Sequence, residues 1–152
     1  MNRKTEVVAE PASQNILVTR EFDLPVNLLF KAYTEARFLE QWMGTKVIKL
    51  DNHNHGSFRF ETTDPMGNVH GFNGTIHEVV PDQKITRTFK MENSPFPVQL
   101  EFLEFEGLNE TSSKLKMNII HKSVKDRDAM MKLPFAQGLN MAHNRLQNIL
   151  FQ

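Results

Sequence analysis

Residues 123–152 read SVKDRDAMMKLPFAQGLNMAHNRLQNILFQ, and within them Phe135, Leu139, Ala142, Leu146 and Ile149 recur at steps of four and three. That spacing stacks side chains along one face of a 3.6-residue helix. A helix with a single apolar stripe needs a surface to cover, and a strand-rich stretch precedes it. Ser123 followed by Asp126 is a capping-box pattern, in which the serine oxygen and the carboxylate satisfy amide donors that the first turn leaves free. Pro134 removes a donor and crowds the preceding turn, so the run is expected to kink or to divide into a short helix and a longer one. If the stripe is covered, truncating Phe135 or Leu139 to alanine should cost roughly 2–5 kcal/mol.

Working back along the chain, the segment from Lys46 to His121 is punctuated by turn-forming clusters at Asn52–Gly56, Asp64–Gly67, Pro81–Gln83, Asn93–Pro97 and Gly107–Ser112. Six strands fit between and beside them. Phe58 and Phe60 share a face, as do His70, Phe72, Gly74 and Ile76; Ile85, Arg87 and Phe89; and Leu115, Met117 and Ile119. Lys114 and Lys116 alternate with the last set, the pattern of antiparallel strands with one packed and one solvated face. Ahead of them, Ile16–Phe22 alternates as a first strand. Pro25 precedes Val26, Leu29, Phe30 and Tyr33 at helical spacing, and Thr34 can cap a second short helix through Phe38, Leu39 and Trp42, ended by Gly44. The expected order is strand, two short helices, six strands and a C-terminal helix. This is an α+β domain over residues 15–152, with about seven antiparallel strands curling around the helix and residues 1–14 as a flexible tail. A curved sheet and one helix do not meet everywhere, and the gap between them is the expected pocket.

Composition narrows the function. Eighteen basic and eighteen acidic residues balance, so no global field draws the chain to nucleic acid or to an anionic membrane. Without cysteine there is no disulfide framework, thiolate metal site or cysteine nucleophile. The N-terminus lacks a secretory apolar core and no later run has the length of a bilayer span, so a cytoplasmic protein without membrane insertion is expected. The flat strand faces would allow a homodimer.

Candidate cavity residues follow from parity. Phe58, Phe60, Phe72, Phe89, Met117, Phe135 and Leu139 are expected walls or core, and Trp42 beside Met43 stands where a pocket mouth would be. Arg87 shares parity with Ile85 and Phe89, which sends a guanidinium into apolar space where an unpaired charge is costly. It can meet an acidic ligand group, pair with Glu101 or Glu104, or escape outward through a bulge. His70 and His143 are further candidates, either as hydrogen-bonding rings at the pocket or as satisfied boundary residues. His53 and His55 lie in a turn with no carboxylate at fixed spacing, so no metal is expected there, and no cofactor elsewhere. The run Glu101, Glu104, Glu106 and Glu110 reads as a solvated face. Neither a glycine-rich phosphate loop nor a serine elbow is present.

The segments VTREFDLP from Val18, FKAYT from Phe30, LEQWMG from Leu39, GTIHEVVP from Gly74 and GLNMAHNRL from Gly138 together resemble START-like (SRPBCC) domains, in the branch named for homologues of the activator of heat-shock protein 90 ATPase. The resemblance covers Asn15 to Phe151 and implies a helix-grip fold with an apolar cavity between helix and sheet. Met43 and Leu139 stand where that family often has tryptophan, and His55-Gly56 where it often has paired glycines, so relatives' ligands do not transfer. Three functions are implied. The first is a non-catalytic domain for a small hydrophobic or amphipathic ligand. The second is a cyclase or aromatase in which Arg87, His70 or His143 acts on a carbonyl substrate. The third is a chaperone-activating module, which the expected lack of a second domain disfavours.

Overall fold

The computed structural model describes residues 3–151. Its strands are β1 (Glu6–Val8), β2 (Asn15–Phe22), β3 (Lys46–Leu50), β4 (Ser57–Thr63), β5 (Val69–Val80), β6 (Lys84–Met91), β7 (Gln99–Gly107) and β8 (Ser113–Ile120). These eight form one antiparallel sheet in the order β1-β2-β8-β7-β6-β5-β4-β3. Helices α1 (Val26–Thr34) and α2 (Ala36–Trp42) carry the chain from β2 to the far edge at β3, and α3 (Val124–Met131) and α4 (Phe135–Leu150) follow β8.

Alternation decides which face is dry. Glu101, Leu103 and Phe105 of β7 are buried while Phe102, Glu104 and Glu106 are exposed, and on β8 Leu115, Met117 and Ile119 are buried while Lys116 is exposed. The buried face joins Leu29, Leu39 and Leu146 from the helices in one core. Register shifts between Val47 and Lys49 and between Ile76 and Glu78 bend the sheet, since an extra residue on one strand increases local twist. At Gly74 a Cβ would stand 2.0 Å from the Thr88 carbonyl oxygen and 2.6 Å from the Phe58 ring. Glycine there lets β6 and Phe58 close onto β5.

The C-terminal run divides as Pro134 requires: α3 ends at Met131 and α4, sixteen residues long, begins at Phe135. Ser123 Oγ accepts from the Asp126 amide at 3.1 Å and donates to Asp126 Oδ2 at 2.7 Å. Gly44 takes the left-handed conformation, φ 66°, after α2. The N-cap of α2 is Glu35 rather than Thr34, whose hydroxyl instead donates to the Phe30 carbonyl at 2.9 Å.

The main departure lies at the N-terminus. Within the expected tail, Glu6–Val8 pairs with Leu17–Thr19 as an eighth strand. Arg3 donates to Asp23 Oδ1 at 2.7 Å, and the Thr5 amide donates to Asn140 Oδ1 at 3.0 Å. A three-residue strand is too short to show alternation, and its anchors are polar contacts 20 and 135 residues away in the chain, which periodicity cannot register.

Candidate functional site

A cavity of about 420 Å³ lies between α4, the inner face of the sheet and the α1–α2 pair. Pro134, Phe135, Gly138, Leu139 and Ala142 form its roof; Phe72, Phe89, Met117 and Ile119 its sheet wall; Tyr33, Leu39, Trp42 and Met43 its end; and Arg87, Gln99 and Glu101 a polar corner. Its walls are mostly aromatic and aliphatic with few polar groups, the usual make-up of a small-molecule pocket.

Each wall is held from behind. The Trp42 indole donates to the Ala32 carbonyl at 2.8 Å, and Arg145 Nε of α4 donates to the Trp42 carbonyl at 3.0 Å. Phe72 packs at a tilt against Phe89 with ring centroids 5.5 Å apart, and Phe89 packs against Phe58 at 6.0 Å. Phe135 and Leu139 are only half-buried, so they border open space on one side. Both also pack against the core, and a truncation cost at the low end of the roughly 2–5 kcal/mol range is expected at these two positions.

Arg87 projects inward, as its parity requires, and Glu101 is its partner. The two residues face each other across β6 and β7, with Arg87 Nε donating to Glu101 Oε1 at 2.9 Å. The guanidinium carbon lies 5.2 Å from the Phe58 ring centroid and 5.8 Å from that of Phe89, a cation–π cradle. Glu101 Oε2 accepts from Gln99 Nε2 at 2.7 Å. Glu101 is thus no part of a solvated face: it alternates with Leu103 and Phe105 and points in with them.

Of the residues singled out from sequence, Trp42, Phe72, Arg87, Phe89, Met117, Phe135 and Leu139 border the cavity. Phe58 and Phe60 do not. They are fully buried against each other, with centroids 4.9 Å apart, and form core beneath the wall. His70 is exposed at the β4–β5 hairpin, its Nε2 2.9 Å from Asp64 Oδ2; it pairs with Thr62 near the strand end, away from the cavity wall. That contact, followed by the Asn68 amide, holds the Asp64 carboxyl down at about 2.

His143 also leaves the cavity. On α4 it follows Ala142 by one step of 100°, which turns it away from the lining face. It is fully buried, with Thr5 Oγ1 2.8 Å from Nδ1 and the Tyr33 hydroxyl 2.9 Å from Nε2. Burial first, then the charge of Arg20, lowers its pKa to about 3, so the ring is neutral. Burial likewise raises the Tyr33 phenol, opposed by Arg87 and reinforced by Glu101. Arg20 is itself buried, with Nη1 donating to Asn144 Oδ1 at 2.9 Å and Nε unpaired among the described residues. Burial lowers its pKa, aided by nearby Arg3.

Sequence reasoning did not place Tyr33, Gln99 or Glu101 at the cavity, although the alternation of Glu101 with Leu103 and Phe105 carried the signal for Glu101. In the turn, His53 Nδ1 lies 3.0 Å from the Asn54 carbonyl oxygen, and His55 packs edge-on against His77 at 6.0 Å. Among the described residues no three or more potential metal-ligating side chains gather, and no helix is long and apolar enough to cross a membrane.

The profile of the family described as Activator of Hsp90 ATPase homolog 1-like protein matches residues 23–150. No curated protein matches the chain. A crystal structure of a Rhodobacter sphaeroides protein is similar with a TM-score of 0.86 at 20% identity, covering 97% of this chain and 97% of that one. A Mycobacterium smegmatis protein is similar with a TM-score of 0.86 at 19% identity, covering 97% and 96%. DynU16, a protein of the dynemicin biosynthetic locus, is similar with a TM-score of 0.71 at 16% identity, covering 92% of this chain and 48% of its own. These likenesses show the helix-grip fold.

Proposed function

The chain belongs to the family of Activator of Hsp90 ATPase homolog 1-like proteins, and on that premise we propose that it binds a small hydrophobic or amphipathic molecule between α4 and the sheet. The observation that carries this reading is the cavity itself: about 420 Å³, walled by Trp42, Phe72, Phe89, Phe135 and Leu139. Apolar surface left uncovered is normally filled by packing, and such space inside a domain is most simply accounted for by a ligand that completes it. The two histidines that an enzyme reading would recruit lie elsewhere, one bonded to Asp64 on the surface and the other to Thr5 and Tyr33 in the core.

Nile red, a neutral apolar fluorophore, tests the proposal. A Cβ at Gly138 would meet nothing within 4 Å, so Gly138→Trp can fill the roof without disturbing the core. Nile red should bind the wild-type protein and lose at least about tenfold in affinity to the Gly138→Trp variant. Equal binding by the two proteins would remove the cavity from consideration. Native mass spectrometry of freshly purified protein would identify the chemical class of any ligand carried through purification.

A second reading, an enzyme of the cyclase or aromatase type using the same cavity, draws on Glu101, a carboxylate beside a guanidinium at the cavity wall. Such a pair can orient a carbonyl and take a proton from the neighbouring carbon. Deuterium exchange at that carbon, lost in Glu101→Gln, would support it; no exchange above background would discard it. The chaperone-module reading rests on the family's name alone.

A further inference from the structure

The polar corner of the cavity is electrically balanced, and this bears on what the ligand carries. Resting on the binding reading above, we infer that the site selects an uncharged aromatic molecule bearing a hydrogen-bond-accepting oxygen, such as a ketone, over a carboxylate of the same shape.

The argument begins with which hydrogen-bonding groups are already used. Arg87 Nε is committed to Glu101 Oε1 at 2.9 Å, and Glu101 Oε2 to Gln99 Nε2 at 2.7 Å. Arg87 Nη1 and Nη2 have no hydrogen-bond partner among the described residues, and the residue borders the cavity. The Tyr33 hydroxyl is occupied by His143. Gln99 Oε1 is an open acceptor here, but the charged open groups of this corner are the guanidinium N–H donors, bordering a space otherwise lined mostly by rings and aliphatic side chains.

Charge then decides which acceptor is accommodated. The Arg87 and Glu101 side chains are 10% and 5% exposed, and their charges cancel. A carbonyl oxygen accepting from Nη gains a charge-assisted hydrogen bond and adds no charge to the apolar space. A carboxylate would surrender its hydration for an arginine already neutralised, beside a carboxylate of like sign. The arginine is thus a donor to neutral oxygen rather than an anion trap. The abundance of rings in the wall favours a planar partner. A cavity of about 420 Å³ holds on the order of twenty non-hydrogen atoms at protein packing density.

Three probes of nearly equal shape decide the matter with the wild-type protein at neutral pH: acetylnaphthalene, ethylnaphthalene and naphthoate, compared by competition against Nile red. Acetylnaphthalene should bind about tenfold more tightly than ethylnaphthalene, and at least about tenfold more tightly than naphthoate. Naphthoate binding as well as acetylnaphthalene would overturn the inference and leave the cavity reading intact. Equal affinity of acetylnaphthalene and ethylnaphthalene would also overturn it, because the arginine would then take no part. Failure of all three to compete would overturn the cavity reading and the inference together. In Glu101→Gln the uncompensated arginine should favour naphthoate over acetylnaphthalene, and an unchanged preference would contradict the charge argument. If that variant does not fold, the wild-type ranking still decides.

Discussion

Arg87 on β6 and Glu101 on β7 stand directly opposite in the antiparallel ladder, and both are buried against the cavity with their charged groups 2.9 Å apart. Burying one charge without the other is expensive, whereas an apolar pair of similar volume avoids both desolvation costs. Arg87→Met alone should therefore cost about 3–5 kcal/mol, as should Glu101→Leu alone. The double variant should cost clearly less than their sum. Chemical denaturation of the four proteins in a double-mutant cycle measures this, and strictly additive costs would mean that the two residues do not act as a unit.

The roof of the cavity and the core beneath it should respond differently to truncation. Leu146 is fully buried, while Leu139 on the same helix borders open space. Leu146→Ala is expected to cost about 2–5 kcal/mol, and Leu139→Ala less than half of that, because the latter enlarges an existing cavity instead of opening a new one. Denaturation midpoints would separate the two, and equal losses would show that Leu139 is packed as core.

Acid should weaken the fold through His143. Its pKa is held at about 3 against an ordinary 6.5, so between those values the unfolded chain binds a proton that the folded one refuses. The stability contributed by the neutral ring is fully present above 6.5 and is lost as pH falls toward 3, at up to about 1.4 kcal/mol per pH unit. His121, also lowered chiefly by burial, adds to the slope. Unfolding free energy measured from neutral pH down to about 4 should show a shallower slope in His143→Gln. An identical slope would place the titration elsewhere.

Thr5 tests whether the N-terminal strand is coupled to α4. Its hydroxyl meets His143 Nδ1 at 2.8 Å and accepts from Arg20 Nη1 at 3.3 Å. Thr5→Val keeps the shape and strands His143 Nδ1, while Arg20 Nη1 keeps Asn144 and Asn140, for an expected cost of about 1–3 kcal/mol. Tyr33 fluorescence is quenched too easily by neighbouring Trp42 to report this, so hydrogen exchange of the β2 amides paired with Glu6–Val8 is the better readout. Unchanged protection there would mean that β1 holds on without the Thr5 contact.

The strands and helices were legible because their residues repeat. Leu115, Met117 and Ile119 announce a half-buried strand, and Phe135 through Ile149 a helix face. Arg87 was legible for the same reason, since parity with Ile85 and Phe89 sends it inward. Its partner was legible only as a choice between Glu101 and Glu104, which differ in parity, and the inward one pairs. His143 was beyond reach. Its neighbour Ala142 lines the cavity while the histidine turns toward Thr5 and Tyr33, and Thr5 lies in a segment with no periodicity to mark it. His70 shared parity with Phe72 but sits at the hairpin, where parity no longer implies cover. Periodicity tells which way a side chain leaves the backbone, not what waits for it there.

The two ends of the sheet bear on behaviour at high concentration. An open edge offers unpaired amides and carbonyls to any passing strand, and long flat edges polymerise. Here β1 offers only Glu6–Val8, and β3 is interrupted by a register shift between Val47 and Lys49, with Lys46 and Lys49 exposed beside it. A second chain docking edge to edge would find three residues to pair on one side and a broken ladder carrying positive charge on the other. Continuous growth from chain to chain is thereby denied a template, even though Ile48 is exposed at that rim.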